Sequence, residues 1–285
     1  MYHALNERVL RCMSEYLCFT PCAVRPELVR SLARELGISD ASAYLAALSA
    51  ELGLDADKPE DAAIYRQYLP RMVRQLDPAA FREDPYMQRV QPVPAEMGSI
   101  DLGYEELQPM ELFVADDFRT DAEGRLLPQL GWFGEAFRFP AIREEGRVWM
   151  TVTPNEINTI RPAIDRCRGR VLTYGLGLGY FAFHALLKEE VTHVTVVERS
   201  EDVIRIFRDH LLPFFPRPDA LEIVCADAFE YAATVMPRQE FDLVFTDLWH
   251  DVEDGIPLYR RMKALECPGP EFLYWIEPTL RCYTD

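Results

Sequence analysis

The sequence predicts an α/β fold, a parallel sheet with helices on both faces, preceded by an N-terminal helical region and a small β-hairpin segment. Three observations predict it. After Thr153, five short β-rich runs alternate with runs of helical spacing. A G-x-G-x-G stretch joins the first of those strands to the next helix. The first third of the chain, by contrast, repeats its apolar residues at three- and four-residue intervals. Strand and helix alternate in this way when each parallel strand must be reached by a crossover, so the sheet region reads as Rossmann-like.

The N-terminal helical region covers residues 1–91. ELVRSLARELGIS and AYLAALSAELGLD end on Gly37 and Gly53, each followed by an apolar residue, Ile38 and Leu54. That pattern is a glycine helix stop closed over by a hydrophobic contact, and it predicts a helical hairpin. A third helix is expected from Asp61 to Leu76, kinked or broken at Pro70.

The second segment, residues 92–150, changes texture. MELFVAD, FRFPAI and RVWMTV alternate as strands do, and DAEG, GWFG and REEG between them read as turns of antiparallel hairpins.

The third segment, residues 151–285, opens with TPNEINTI. Thr153, Pro154 and Glu156 form a capping box with proline at the first helical position, and Glu156 is also placed to line a site near the glycine loop. The strands are RVLTY, HVTVVE, LEIVC, DLVFT and FLYWIE; YFAFHALLKEE, SEDVIRIFRDHLLPFF, DAFEYAATV and PLYRRMKALE are the helices between them.

Composition narrows the function. The chain has 285 residues, 49% of them hydrophobic, enough for a substantial core. A formal charge of -17 opposes a nucleic-acid backbone over most of the surface, so no nucleic acid is expected as a partner. No stretch reaches the roughly eighteen unbroken apolar residues of a membrane span, so no membrane is expected and the location expected is cytoplasmic. Seven cysteines without a C-x-x-C pair argue against a disulfide framework and against a metal site.

The ends of the strands carry the chemistry. In an open parallel sheet, ligands settle beyond the carboxyl ends of the strands where strand order reverses, and GLGLG, with Gly175, Gly177 and Gly179, lies at such an end. A dinucleotide fingerprint would need glycine where Tyr180 stands, and no Walker Gly-Lys-Ser/Thr occurs. The second strand ends in Glu198, suited to a ribose diol, beside Arg199. The third ends at CADAFEY, where Asp227 suits an adenine amine and equally an N-cap. The fourth ends TDLWHD, which sets Asp247 at the reacting end with Trp249 and His250 above it.

From Val171 to Tyr259 these residues resemble the class I S-adenosylmethionine-dependent methyltransferases, and most of all their spermidine synthase-like branch. VTVVERSEDVIRIFRDHL, LEIVCADAFEY and FDLVFTDLWHD are similar to that branch's second-strand, adenine-contact and catalytic-loop segments. The resemblance implies a fold of the class I methyltransferase type that binds S-adenosylmethionine, or its decarboxylated form, through Tyr174, Gly175, Gly177, Gly179, Glu198, Arg199, Asp227, Ala228 and Asp247. Catalysis would then fall to Asp247 and His250, with Trp249 and Glu156 against the acceptor.

The departures are specific. Thr173 stands where methyltransferases usually carry an acid, and spermidine synthases lack an acid there too. In the D-S-x-D-P motif of those enzymes Asp247 matches the first Asp, while Leu248, Trp249 and His250 replace the next three residues and Asp251 comes one place late. Their Tyr-x-Glu polyamine contacts would fall near Thr159 and Arg161, and a cationic amine meeting Arg161 argues against aminopropyl transfer. The expected function is therefore methyl transfer to a small molecule. Aminopropyl transfer to a polyamine is the alternative, and the altered TDLWHD loop supports a third reading, a non-catalytic nucleoside-binding module. After FLYWIE little chain remains, so the edge of the fifth strand calls for cover from another part of the chain or from a second copy in a homodimer. The segments before the sheet are expected to supply acceptor contacts over TDLWHD.

Overall fold

Both glycine stops form. In the computed structural model, which describes residues 3–283, helices α1 (His3–Phe19), α2 (Pro26–Leu36) and α3 (Asp40–Glu51) come first. The Ile38 amide returns to the Ala33 carbonyl at 3.1 Å and the Leu54 amide to Ser49 at 3.0 Å, closing α2 and α3 over their glycines.

The third helix is broken as Pro70 requires. A short α4 (Pro59–Ala63) widens into a π turn over Ile64–Tyr68 before α5 (Leu69–Met72), and the Leu69 amide reaches back to Ile64. Proline offers no N–H to the carbonyl four residues earlier and crowds it, and a wider turn relieves both. The helix ends at Met72, short of the expected Leu76. Val73–Gln75 becomes strand β1 because it pairs in parallel with a later strand, Val73 opposite Leu130. Helix α6 (Pro78–Arg82) comes after it.

Next come α7 (Pro85–Arg89), β2 (Ala95–Met97), β3 (Ile100–Leu107), β4 (Phe113–Thr120), β5 (Leu126–Trp132), β6 (Phe137–Glu144) and β7 (Arg147–Thr151). They build two sheets, ordered β1-β5-β4 and β2-β3-β6-β7. GWFG turns later than its composition suggests. Gly131 and Trp132 stay in β5, where the Trp132 indole is buried and stacks on Tyr44 with ring centres 4.4 Å apart.

The remaining chain alternates strictly: α8 (Pro154–Arg166), β8 (Gly169–Tyr174), α9 (Tyr180–Leu187), β9 (Val191–Glu198), α10 (Glu201–His210), β10 (Leu221–Cys225), α11 (Ala228–Thr234), β11 (Leu243–Thr246), α12 (Val252–Lys263), β12 (Glu271–Tyr274) and α13 (Glu277–Arg281). The five strands are parallel in the order β10-β9-β8-β11-β12. The fold is Rossmann-like α/β. Val171, Leu172, Val194, Val196 and Val244 in the three central strands are inaccessible, as expected of strands covered on both faces. The strand order reverses on either side of β8, so the carboxyl end of β8 is the switch point.

Two compact units result. One is the chain up to Phe81 with Glu106–Arg138; the other is Arg82–Glu105 with the chain from Phe139 onward. This differs from the boundaries expected at 91 and 150. Leu127, Leu130 and Trp132 of β5 belong to the same core as Val9, Tyr44 and Leu48 of the helices, which draws β4 and β5 into the first unit. Among the described residues no helix is long and apolar enough to cross a membrane.

Candidate active site

The site is built at the end of β8. Gly175 turns the chain at φ 94°, and a side chain there would collide with the backbone carbonyl of Asp247, so only glycine lets the ends of β8 and β11 close together. The Asp247 amide donates to the Tyr174 carbonyl and the Gly175 amide to Val197, each at 3.0 Å, which ties the ends of β11, β8 and β9 into one rim. Gly179 opens α9 at φ 77°; a Cβ there would lie 2.6 Å from the rings of Phe207 and Phe215. Among the described residues, no group accepts from the amides of Gly177 and Leu178.

Around this rim lies one cleft. Its walls include Gly175, Gly177, Gly179, Glu198, Arg199, Asp227, Ala228 and Asp247 of the expected cofactor residues, together with Glu156, Trp249 and His250. Tyr174 is the exception. Its side chain is fully buried beneath the rim and its hydroxyl donates to the sulfur of Met236 at 3.3 Å, so any role at the site is confined to its backbone.

Glu198 is 9% exposed, a wall of the cleft rather than a surface acid. One carboxylate oxygen accepts from the Leu176 amide at 3.2 Å and the other from the Ser200 amide at 2.8 Å. A carboxylate has about four acceptor sites, so one on each oxygen is left for a diol. Asp227 caps α11 through one oxygen, which accepts from the amides of Phe229 and Glu230 at 2.9 Å each. Both readings of that residue are therefore geometrically compatible.

On the other side of the glycine loop stand two coupled acids. The capping box forms: Glu156 accepts from the Thr153 amide at 2.9 Å while Thr153 Oγ1 accepts from the Glu156 amide. The Thr151 hydroxyl adds a second donor to the carboxylate at 2.9 Å. Burial nevertheless pushes the Glu156 carboxyl up to about 7, against the lowering effect of those bonds. Asp247 has no such support. Among the described residues no donor reaches its carboxyl, and burial, reinforced by the charge of Glu156, pushes it up to about 8. Both residues keep partial exposure at the wall while their carboxyl groups lie deep enough to lose most of their hydration.

The loop after β11 is held by local bonds. Asp251 caps α12 in a second capping box with Asp254, so this acid serves as a helix start. The His250 amide donates to Asp254 at 3.1 Å, and the exposed His250 ring meets Trp149 edge-on with centres 3.7 Å apart. Trp249 is 6% exposed and its indole N–H meets no acceptor among the described residues.

Arg161 is exposed and outside the cleft; α8 contributes Glu156 and Ile160, one turn apart, to its wall. Thr159 is occupied by the Asn155 carbonyl and the Trp275 indole. Arg161 therefore stands outside the cleft in which an amine was expected to meet it. Sequence reasoning missed Trp149, Met150 and Thr151 on β7, and Trp275 after β12, all of which line the cleft. Their one signal was Thr151 two residues before Thr153, a spacing that puts both on one face of an extended chain.

No protein-family model matches the chain, and no curated protein matches it. Solved structures do. Among the similar structures are two spermidine synthases and one probable spermidine synthase. The Thermotoga maritima spermidine synthase is 22% identical over 43% of this chain and 48% of its own, with a TM-score of 0.32. A probable spermidine synthase from Corynebacterium glutamicum ATCC 13032 is 16% identical over 48% and 55%, with a TM-score of 0.34. A spermidine synthase in complex with the transition-state analogue AdoDATO is 20% identical over 43% and 50%, with a TM-score of 0.32. The chain thus spans about half the length of the structures it matches.

Proposed function

We propose that the chain is a transferase that moves an alkyl group from an adenosyl sulfonium, S-adenosylmethionine or its decarboxylated form, to an amine nitrogen of a small molecule. The observation that carries this reading is Asp247, an unpartnered carboxyl beside Glu156 at the end of the glycine loop. Strand order sets Glu198 and Asp227 on one side of β8 and Asp247 on the other. A nucleoside held by the first pair would direct its sulfonium carbon toward Asp247.

A protonated amine cannot attack. In its ionised form, whose share grows as pH rises toward about 8, Asp247 takes the amine proton as nitrogen bonds to carbon and the carbon–sulfur pair leaves with the thioether. Glu156, held by Thr151 and Thr153, offers the approaching cation a fixed partner. An isolated carboxyl left without partners in a cleft costs stability, which disfavours a non-catalytic module.

Methyl transfer and aminopropyl transfer differ here by one charge, the carboxylate of the methionine tail. The cleft lining holds Glu156, Asp247 and Asp254 near the end of β11 and no lysine or arginine there, since Arg199 comes after Glu198 on the other side. That favours the decarboxylated donor. Calorimetry with S-adenosylmethionine, its decarboxylated form and methylthioadenosine tests both levels. Methylthioadenosine binding with tighter binding of the decarboxylated donor supports the reading; tighter S-adenosylmethionine binding selects methyl transfer, and no binding of any of the three rejects the proposal.

A further inference from the structure

Behind the glycine loop lies a cluster of buried polar side chains that the proposed chemistry does not use. Asp84 is 7% exposed, and a carboxylate so placed is tolerated only when hydrogen-bonded on every side. It accepts from the Tyr180 hydroxyl at 2.8 Å and the Tyr86 amide at 2.9 Å, and lies 3.0 Å from His184 Nε2. Burial alone would raise its carboxyl, but the His184 and Tyr180 bonds hold it below the usual range. Tyr86, fully buried, donates its hydroxyl to the Leu178 carbonyl at 2.7 Å, and its ring meets those of Tyr180 and Phe183 edge-on at 5.4 and 5.2 Å.

The targets of these bonds are informative. Leu178 and Tyr180 flank Gly179 and both line the cleft. A loop with three glycines in five residues is entropically costly to hold in one shape. Its own backbone supplies one closing bond, from the Gly179 amide to the Leu176 carbonyl. Glu198 fixes the loop from the ligand side through Leu176. Asp84 and Tyr86 fix it from behind.

We propose that Asp84 and Tyr86 are positioning residues for ligand binding: they clamp the Leu178 carbonyl and the Tyr180 side chain so that the Gly177 and Leu178 amides stand in their ligand-binding arrangement. The proposal rests on the reading of the cleft as an adenosyl site. Removing the Tyr86 hydroxyl leaves the Leu178 carbonyl without its donor and frees the loop, while the two ring contacts remain.

The test uses the full-length chain with Tyr86→Phe, and Tyr180→Phe as a second variant that keeps the Tyr86 bond should the first fold poorly. Hydrogen exchange of the free protein reads the clamp directly. The hydrogen-bonded amides of Leu176 and Gly179 should exchange roughly tenfold faster in Tyr86→Phe, with those of β9 unchanged, and methylthioadenosine should bind roughly five- to tenfold more weakly. A purely structural role would speed exchange across the whole unit and leave the affinity of the folded fraction unaltered. Unchanged loop exchange, or faster loop exchange with wild-type affinity, overturns the proposal. If the wild-type chain itself does not bind methylthioadenosine, the adenosyl reading falls and the proposal with it.

Discussion

Asp247 sets activity and stability against each other. Its carboxyl is raised from the ordinary 3.8 to about 8, so the folded chain holds a proton that the unfolded chain gives up. The stabilisation is fully present below about pH 4 and is lost as pH rises through 8. Asp247→Asn, which keeps the shape of the protonated acid, should therefore melt higher than the wild type at pH 9 and equally at pH 4. The expected gain at high pH is about 1 kcal/mol or more, discounted from the full linkage value because the residue keeps some solvent contact. A base with this carboxyl makes turnover rise with pH toward the same region, and the Asn variant should lose about 100-fold or more in rate. Glu198 answers to a different measurement. Each of its oxygens accepts a backbone N–H, so Glu198→Gln turns an NH2 toward one of those donors and should weaken methylthioadenosine binding by about 1–3 kcal/mol in calorimetry, with the fold retained by circular dichroism.

The glycine loop separates packing from ligand approach. At Gly179 a methyl group meets Phe207 and Phe215, whereas at Gly177 its nearest neighbour is Met150 Sδ at 3.7 Å, an ordinary contact. Gly179→Ala should thus cost about 2–4 kcal/mol in urea unfolding, overpacking added to a strained backbone, and Gly177→Ala about 1–2 kcal/mol from the backbone alone. These elements also mark what the sequence could convey. Strand ends were legible because a parallel strand is an unbroken apolar run and the polar residue that stops it is conspicuous: Glu198 after VTVV, Asp247 after LVFT. The capping box of Thr153 and Glu156 was legible because it is local. Thr151, Trp149 and Trp275 were not, since they reach the cleft through sheet pairing and a tight turn, and pairing partners are not encoded within any one window. Val73–Gln75 failed for the same reason: helical spacing preceded it, and only β5, more than fifty residues later, makes it a strand. Asp84 and Tyr86 carry no signal in the sequence, since only the fold brings them against Leu178 and Tyr180.

At the scale of the molecule, the sheet segment is insufficient for its own site. Residues 151–285 carry GLGLG, Glu198, Asp227 and Asp247 but lack Asp84 and Tyr86 behind the loop and Trp149 and Met150 along the cleft. Expressed alone, it should bind methylthioadenosine at least about tenfold more weakly than the whole chain, one lost clamp bond already being worth that much. Wild-type affinity in a folded fragment would contradict this. The two units also interleave in sequence: the backbone passes between them at 81/82, 105/106 and 138/139. During synthesis the first unit has all its residues once 138 has left the ribosome, yet residues 82–105 must wait for a sheet not yet made. In genetic exchange the same threading means that no single crossover lifts either unit out intact.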